Sequence, residues 1–336
     1  MIFEEQISRE PNHYPWAKEF IQAIWDNPWN DKEFTFSSDK HDFHTKLTAQ
    51  EREVITRALS GISQIEISVK DFWSLLGFNL PHPALKDLGT VMAAVEVVHT
   101  NAYERLLKEL DIEEVFSANL KIEFLNNRVN YLRKHAHKYY ENSKKQFLYS
   151  LILFTLFVEN VSLFSQFYII NWFGRKNLLK DTNQQTAYTA REEDLHAKTG
   201  IQLINTIKKE HPELFDDEMK AKIKHESLQA FKAEKDVIKW TVNGTESDHM
   251  SEEIVQEFIK NRFNESLEEI GCETVFEVDQ EILKKTIWFD ELILGNNSTD
   301  FFNAKPVEYS EGGQSFDVED LYKDGIPTDG MVGVIV

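Results

Sequence analysis

Residues 148–173, LYSLILFTLFVENVSLFSQFYIINWF, are the most apolar stretch of the chain, yet they carry a carboxylate, Glu159, at their centre. The stretch is long enough to cross a bilayer. Basic residues flank it, Lys144 and Lys145 before and Arg175 and Lys176 after. Against a membrane span stand Glu159, Asn160, Ser162, Ser165 and Gln166, because a central carboxylate is costly in lipid. A helix apolar on all sides is otherwise the buried centre of a large bundle, and that is the favoured reading. Buried in protein, Glu159 needs a proton, an ion-pair partner or a metal.

The rest of the chain supplies a bundle. Its 336 residues include only 13 Gly and 8 Pro, together about 6%, roughly half of average usage. Thr48 and Glu51 form a capping-box pattern that opens a helix over 48–78, and Pro81 and Pro83 break it. Helical periodicity then predicts helices over about 84–110, 113–140 and 144–173. The polar segment KNLLKDTNQQ separates these from a fifth helix over 184–209, which His211-Pro212 ends. Two or three more helices fill 212–292, interrupted by the turn at Asn243-Gly244. Past Leu294 the pattern dissolves into GNNSTD, EGGQ and KDGIPTDG. The expected organisation is one all-α domain over 1–294 and an extended, flexible tail over 295–336.

Charge and cysteine content exclude several functions. A net charge of −20 argues against a nucleic-acid partner, which needs a basic face. A single cysteine, Cys272, excludes a disulfide framework, a Cys-rich metal site and dithiol chemistry within the chain. The opening segment MIFEEQISREPNHYPW lacks the basic and apolar regions of a signal peptide, so a cytoplasmic location is expected.

Glu-x-x-His places a carboxylate and an imidazole one turn apart on one helix face, where both can hold the same cation. With 37 Glu and 11 His in 336 residues, chance gives about 1.2 occurrences, and four are found. Glu10–His13 contains Pro11, and Glu246–His249 follows a turn without apolar context; both read as chance. The other two, Glu96–His99 and Glu193–His196, lie inside strongly periodic helices. Glu66 precedes Glu96 by 30 residues and Glu159 precedes Glu193 by 34, each within an apolar-periodic run. Each half of the chain thus repeats a helix with one inward Glu and then a helix with Glu-x-x-His. This is the known ligand pattern of ferritin-like bundles that hold two metals between carboxylates. Four carboxylates balance two divalent cations, and with two imidazoles they suit iron or manganese rather than copper or zinc. Tyr103, four residues after His99, stays on the same face one turn beyond it. There it is either a redox-active phenol beside the metals or a core tyrosine.

The ordered set of motifs resembles the small, radical-generating subunit of class I ribonucleotide reductase. The matching stretches are Trp29-Asn-Asp-Lys-Glu33, LTAQERE leading to Gln64-Ile-Glu66, Glu96-Val-Val-His99 with Tyr103, Phe157-Val-Glu159, and Arg191-Glu-Glu193-Asp-Leu-His196. They span about residues 15–210, with a weaker match at Val307-Glu-Tyr309. The resemblance implies one metal held by Glu66, Glu96 and His99 and a second by Glu159, Glu193 and His196, with carboxylates bridging. It implies activation by oxygen or superoxide, and a one-electron oxidant stored on Tyr103 or on the metals. That oxidant then passes to a cysteine of the large subunit, where ribonucleotides are reduced. Trp29 matches the start of the outward relay, with Trp25 as a rival, and Tyr309 matches the tail residue that hands over, with Tyr322 as a rival. Phe167 fits the apolar pocket expected around the tyrosine, while Leu163 stands where an aromatic is common. A homodimer and a tail that docks on the large subunit are also implied.

Two departures bear on the chemistry. The first ligand position is usually Asp and here is Glu66; the Asp that commonly links site and relay is here Glu192. A Glu at the first position resembles variants that use manganese, alone or with iron, and tips the expectation toward manganese. Two other functions compete: a self-contained dimetal oxidase or oxygenase, and a ferritin-like metal store. The length of the chain and its tail disfavour storage.

Overall fold

The computed structural model of the chain describes residues 1–119, 121–128 and 143–294, except the side chains of Gln64, Glu66, Ile67, Ser68 and Leu294. The tail expected over 295–336, with Tyr309 and Tyr322, lies outside the described residues. The principal helices are α1 (Trp16–Trp25), α2 (Ala49–Asn79), α3 (Pro83–Glu109), α4 (Lys144–Arg175), α5 (Lys180–Glu210), α6 (Asp217–Val242), α7 (Glu252–Glu269) and α8 (Ile287–Leu294). Among the described residues there is no strand, only an isolated bridge between Ser247 and Met250. The all-α bundle expected from the sequence is the fold observed.

Local chemistry sets the helix ends. Thr48 Oγ1 accepts from Glu51 N at 3.2 Å while the Glu51 carboxylate accepts from Thr48 N at 2.9 Å, closing the capping box of α2. His82 caps α3 through Nδ1, with Pro83 at the first helical position. Asp216 and Ser251 cap α6 and α7. Helices α2 and α3 pack along one another, and the fit leaves no room for a side chain at Gly89. A Cβ there would lie 2.8 Å from the Trp73 carbonyl oxygen.

Helix α4 is the axis of the molecule. The most apolar window of this helix is 94% buried inside the protein, which identifies it as a core helix. Its middle, Phe154–Ser162, is wound as a π-helix, and Glu159 lies within that segment. Helix α5 passes so close that a Cβ on Gly200 would collide with Thr155 of the π segment. Gly200→Ala should therefore destabilise the protein by about 1–3 kcal/mol in urea unfolding, through overpacking. An unchanged midpoint would show that the π segment can yield.

Two boundaries differ from the sequence expectation. Helix α5 begins at Lys180 rather than near 184. Its first amides are capped from far away, since Asp39 accepts from Asp181 N at 3.2 Å and from Thr182 N at 2.6 Å, and Asp42 accepts from Leu179 N at 3.2 Å. The same contacts fasten the segment after Trp29 onto the start of α5. The helix expected over 113–140 is instead interrupted: Glu113–Asn119 is helical, a turn follows, and helix resumes over 123–128. Asn119, a weak helix former, turns its amide to Ser60 Oγ of α2 at 3.0 Å. The remainder of that expected helix lies outside the described residues.

Candidate metal centre

Four helices converge on one buried cluster. Helix α3 presents Glu96 and His99 on its inner face, α5 presents Glu193 and His196, and the π segment of α4 presents Glu159; all five are 0% exposed. Glu66 lies on α2, with its side chain outside the described residues. One ligand atom each from Glu96, Glu159, Glu193 and His196 falls within 4.8 Å of the others. His196 Nδ1 lies 2.8 Å from Glu96 Oε1 and 3.3 Å from Glu193 Oε2. His99 Nδ1 lies 3.0 Å from Glu193 Oε1 and 3.2 Å from Glu96 Oε2. The Glu96 and Glu193 carboxylates thus each reach both imidazoles, the position that bridging ligands occupy.

The atoms are close without being aligned. Glu96 Oε1, both oxygens of Glu193 and His196 Nδ1 form no well-directed hydrogen bond despite these distances. Such crowding fits lone pairs aimed at a shared point between them, and the oxygen-rich donor set suits a hard divalent cation. The electrostatics agree. Burial pushes the Glu159 carboxyl well above its usual range, reinforced by the nearby Glu193 and Glu96 charges. Burial also acts to raise Glu193, but the His196 and His99 imidazoles beside it overcome that and hold its carboxyl far below normal. Desolvation acts to lower His196, yet the Glu96 and Glu193 carboxylates push it up to about 10. Without a metal, an imidazolium proton is the positive charge among these acids. A metal entering the cluster would replace that proton.

Around the cluster the structure places two aromatic contacts. Trp73 Nε1 of α2 donates to Glu159 Oε1 at 2.7 Å, leaving Glu159 Oε2 open, and its ring lies 5.6 Å from that of His196. Trp73 escaped the sequence reading, although it lies seven residues after Glu66, two turns along the same helix face. On the other side, Glu192 Oε2 accepts from Trp29 Nε1 and meets His99 Nε2, both at 2.7 Å. The Trp29 and His99 rings stack at 6.1 Å and 26°. The extra methylene of Glu over Asp still lets one oxygen serve both partners.

Trp29 is buried, whereas its rival Trp25 is 55% exposed at the end of α1. Tyr188, also missed from sequence, sets its ring 5.9 Å from Trp29 and is approached by the Arg191 guanidinium. Its position one turn before Glu192 on α5 was the available signal. Tyr103 is buried at 1% exposure one turn beyond His99, and Leu163 and Phe167 are both fully buried on α4. The two remaining Glu-x-x-His pairs join no ligand cluster among the described residues; His249 Nδ1, for instance, contacts Lys285 O at 3.0 Å.

Known proteins share this arrangement. The sequence profile of the family described as "Ribonucleotide reductase, small chain" matches residues 7–282. A probable ribonucleoside-diphosphate reductase small subunit of Invertebrate iridescent virus 3 is 22% identical, covering 92% of this chain and 86% of its own. The ribonucleoside-diphosphate reductase subunit beta of Chlamydia pneumoniae is 25% identical over 90% of each. Among solved structures, the ribonucleotide reductase R2 subunit from Clostridium botulinum superposes with a TM-score of 0.78 at 19% identity, covering 87% of this chain and 98% of that one. Dimanganese(II)-NrdF of Streptococcus sanguinis gives 0.72 at 15% identity, covering 85% of this chain and all of the other. An R2-like ligand-binding oxidase with a Mn/Fe cofactor gives 0.68 at 18% identity, covering 79% and 95%. These structural likenesses establish the fold. With the profile spanning most of the sequence, from the N-terminal arm to beyond α7, the chain belongs to the ribonucleotide reductase small-chain family.

Proposed function

We propose that the chain is the radical-storing subunit of a two-protein ribonucleoside-diphosphate reductase, working with a large subunit that carries the nucleotide site and the reducing thiols. Glu66, Glu96, His99, Glu159, Glu193 and His196 hold two metal ions, manganese in preference to iron, or one of each. When bound, the ions supply redox chemistry with oxygen or superoxide and leave a one-electron oxidant in the site. Tyr103, buried one turn beyond His99, is the side chain that gives up an electron and a proton to store it. Trp29 opens the outward route, and Tyr309 in the tail hands over to the partner. The tail over 295–336 is the docking arm, and the subunit pairs as a homodimer.

One observation carries this reading. A continuous hydrogen-bonded line, His99–Glu192–Trp29, leads out of the buried carboxylates. A metal store has no use for such a line, and an oxidase acting on a substrate bound beside its metals does not need one. The lone Cys272 agrees, because ribonucleotide reduction needs thiols that this chain does not supply.

The test is reconstitution. The purified full chain is loaded anaerobically with Mn(II) or Fe(II) and exposed to oxygen or superoxide. It should reduce ribonucleoside diphosphates only when mixed with its large subunit, and a chain ending at Asn297 should lose measurable affinity for that subunit while keeping its metals. Turnover of an organic substrate by the chain alone, with no deoxyribonucleotide formed in the mixture, would establish the oxidase instead.

A further inference from the structure

Helix α7 carries a buried arginine, Arg262. Although the Asp194, Asp290, Glu265 and Glu269 carboxylates act on it electrostatically, none pairs directly with its guanidinium among the described residues. Burying a cation without an anion in direct contact is unfavourable, and apolar replacement of buried charges is often neutral or stabilising. Arg128, on the other side of α4, shows the usual remedy: its Nε lies 2.9 Å from Glu234 Oε1.

Arg262 spends its donors on a single residue. Nε donates to the Asn160 carbonyl oxygen at 2.6 Å and Nη2 to Asn160 Oδ1, while the guanidinium stacks on Phe164 with its carbon 3.5 Å from the ring centroid. The Asn160 amide in turn donates to Ser266 Oγ, one turn further along α7. Asn160 is therefore tied to α7 at three points, and it is the immediate neighbour of Glu159 within the π segment. A change between π and α winding alters the angular phase of the side chains that follow it. Fixing residue 160 against α7 fixes the phase at which Glu159 leaves the helix.

We propose that Arg262 is a positioning residue that locks the π segment so that Glu159 points at the metal centre. The backbone is held from α7, and Trp73 holds Glu159 Oε1 from α2. The remaining oxygen, Oε2, is thereby the one offered to the second ion. This inference rests on the metal centre proposed above.

The test uses the full-length chain with Arg262→Met, which keeps bulk but removes every donor, and Arg262→Lys, which keeps a buried cation able to reach only part of the clamp. Anaerobic Mn(II) binding is followed by equilibrium dialysis and by electron paramagnetic resonance, with hydrogen exchange recorded over residues 154–164. In Arg262→Met, exchange over this segment should accelerate and the affinity for one of the two ions should fall about 10–100-fold, as when a metal ligand loses its support. The other ion should bind as before, a split that general destabilisation does not produce. Arg262→Lys should fall between, and it decides the matter if the Met variant fails to fold. Wild-type affinity for both ions in the variants overturns the positioning role. Absence of Mn(II) binding by the unaltered chain overturns the metal centre itself.

Discussion

Glu193→Ala should strip the protein of most of its bound metal. Both oxygens of Glu193 lie between the two imidazoles, at 3.0 Å from His99 Nδ1 and 3.3 Å from His196 Nδ1, so its loss would remove the ligand proposed to be shared by both ions. Deleting one member of a buried charged network costs about 3–5 kcal/mol, a factor of roughly 10²–10⁴ in affinity. Elemental analysis after anaerobic loading and desalting should find at most one ion per chain where the unaltered protein retains two. The isosteric Glu193→Gln separates charge from shape, since it preserves the packing of α5 against α4 and should still lose metal. The metal-free variants also test the electrostatics, because His196 is pushed up to about 10 by Glu96 and Glu193. Without Glu193 its imidazolium should titrate at lower pH, as seen by NMR. Unchanged metal content in both variants would remove Glu193 from the ligand set.

Much of this centre was legible in the sequence because each half of it is local. A carboxylate and an imidazole three residues apart on a periodic helix are bound to share a face, and Glu96–His99 and Glu193–His196 do. That Glu159 belongs with them followed from its cost: a carboxylate inside 148–173 has few ways to be satisfied. The π winding of the same stretch was not legible. Phase is read from the alternation of polar and apolar residues, and a run buried on every side carries no such alternation. The early start of α5 was hidden for a different reason, since its cap is Asp39, 142 residues before Asp181. Trp73 and Arg262 escaped because indole and guanidinium have no fixed spacing to the atoms they serve; only assembly of α2, α4 and α7 brings them there. Glu192 was anticipated through resemblance, despite departing from the usual Asp, and the structure shows how the longer side chain meets Trp29 and His99.

Glu192→Ala should leave a protein that still folds and, at saturating metal, still fills its centre, yet scarcely supports nucleotide reduction. His99 turns Nδ1 to the carboxylates and Nε2 to Glu192 Oε2, which lies 2.7 Å away and accepts from Trp29 Nε1 at the same distance; a metal on Nδ1 would leave the ring proton on Nε2, facing Glu192. A single oxygen therefore fixes the imidazole and the indole relative to one another and, on the proposed route, would supply the negative charge that stabilises positive charge arriving on either ring. Hydrogen bonds to a charged group are each worth about 1.5–3 kcal/mol, so losing both should lower turnover with the large subunit by roughly 10²–10⁴-fold. Glu192→Gln, which keeps an acceptor oxygen but no charge, should fall between. The decisive measurement is a double-mutant cycle with Trp29→Phe. If the two residues form one path, the double variant is scarcely worse than either single one. Fully additive losses would mean that Glu192 and Trp29 act separately, and the route out of the metal centre would then have to be sought elsewhere, with Tyr188, which packs against Trp29 from α5, as the first residue to replace.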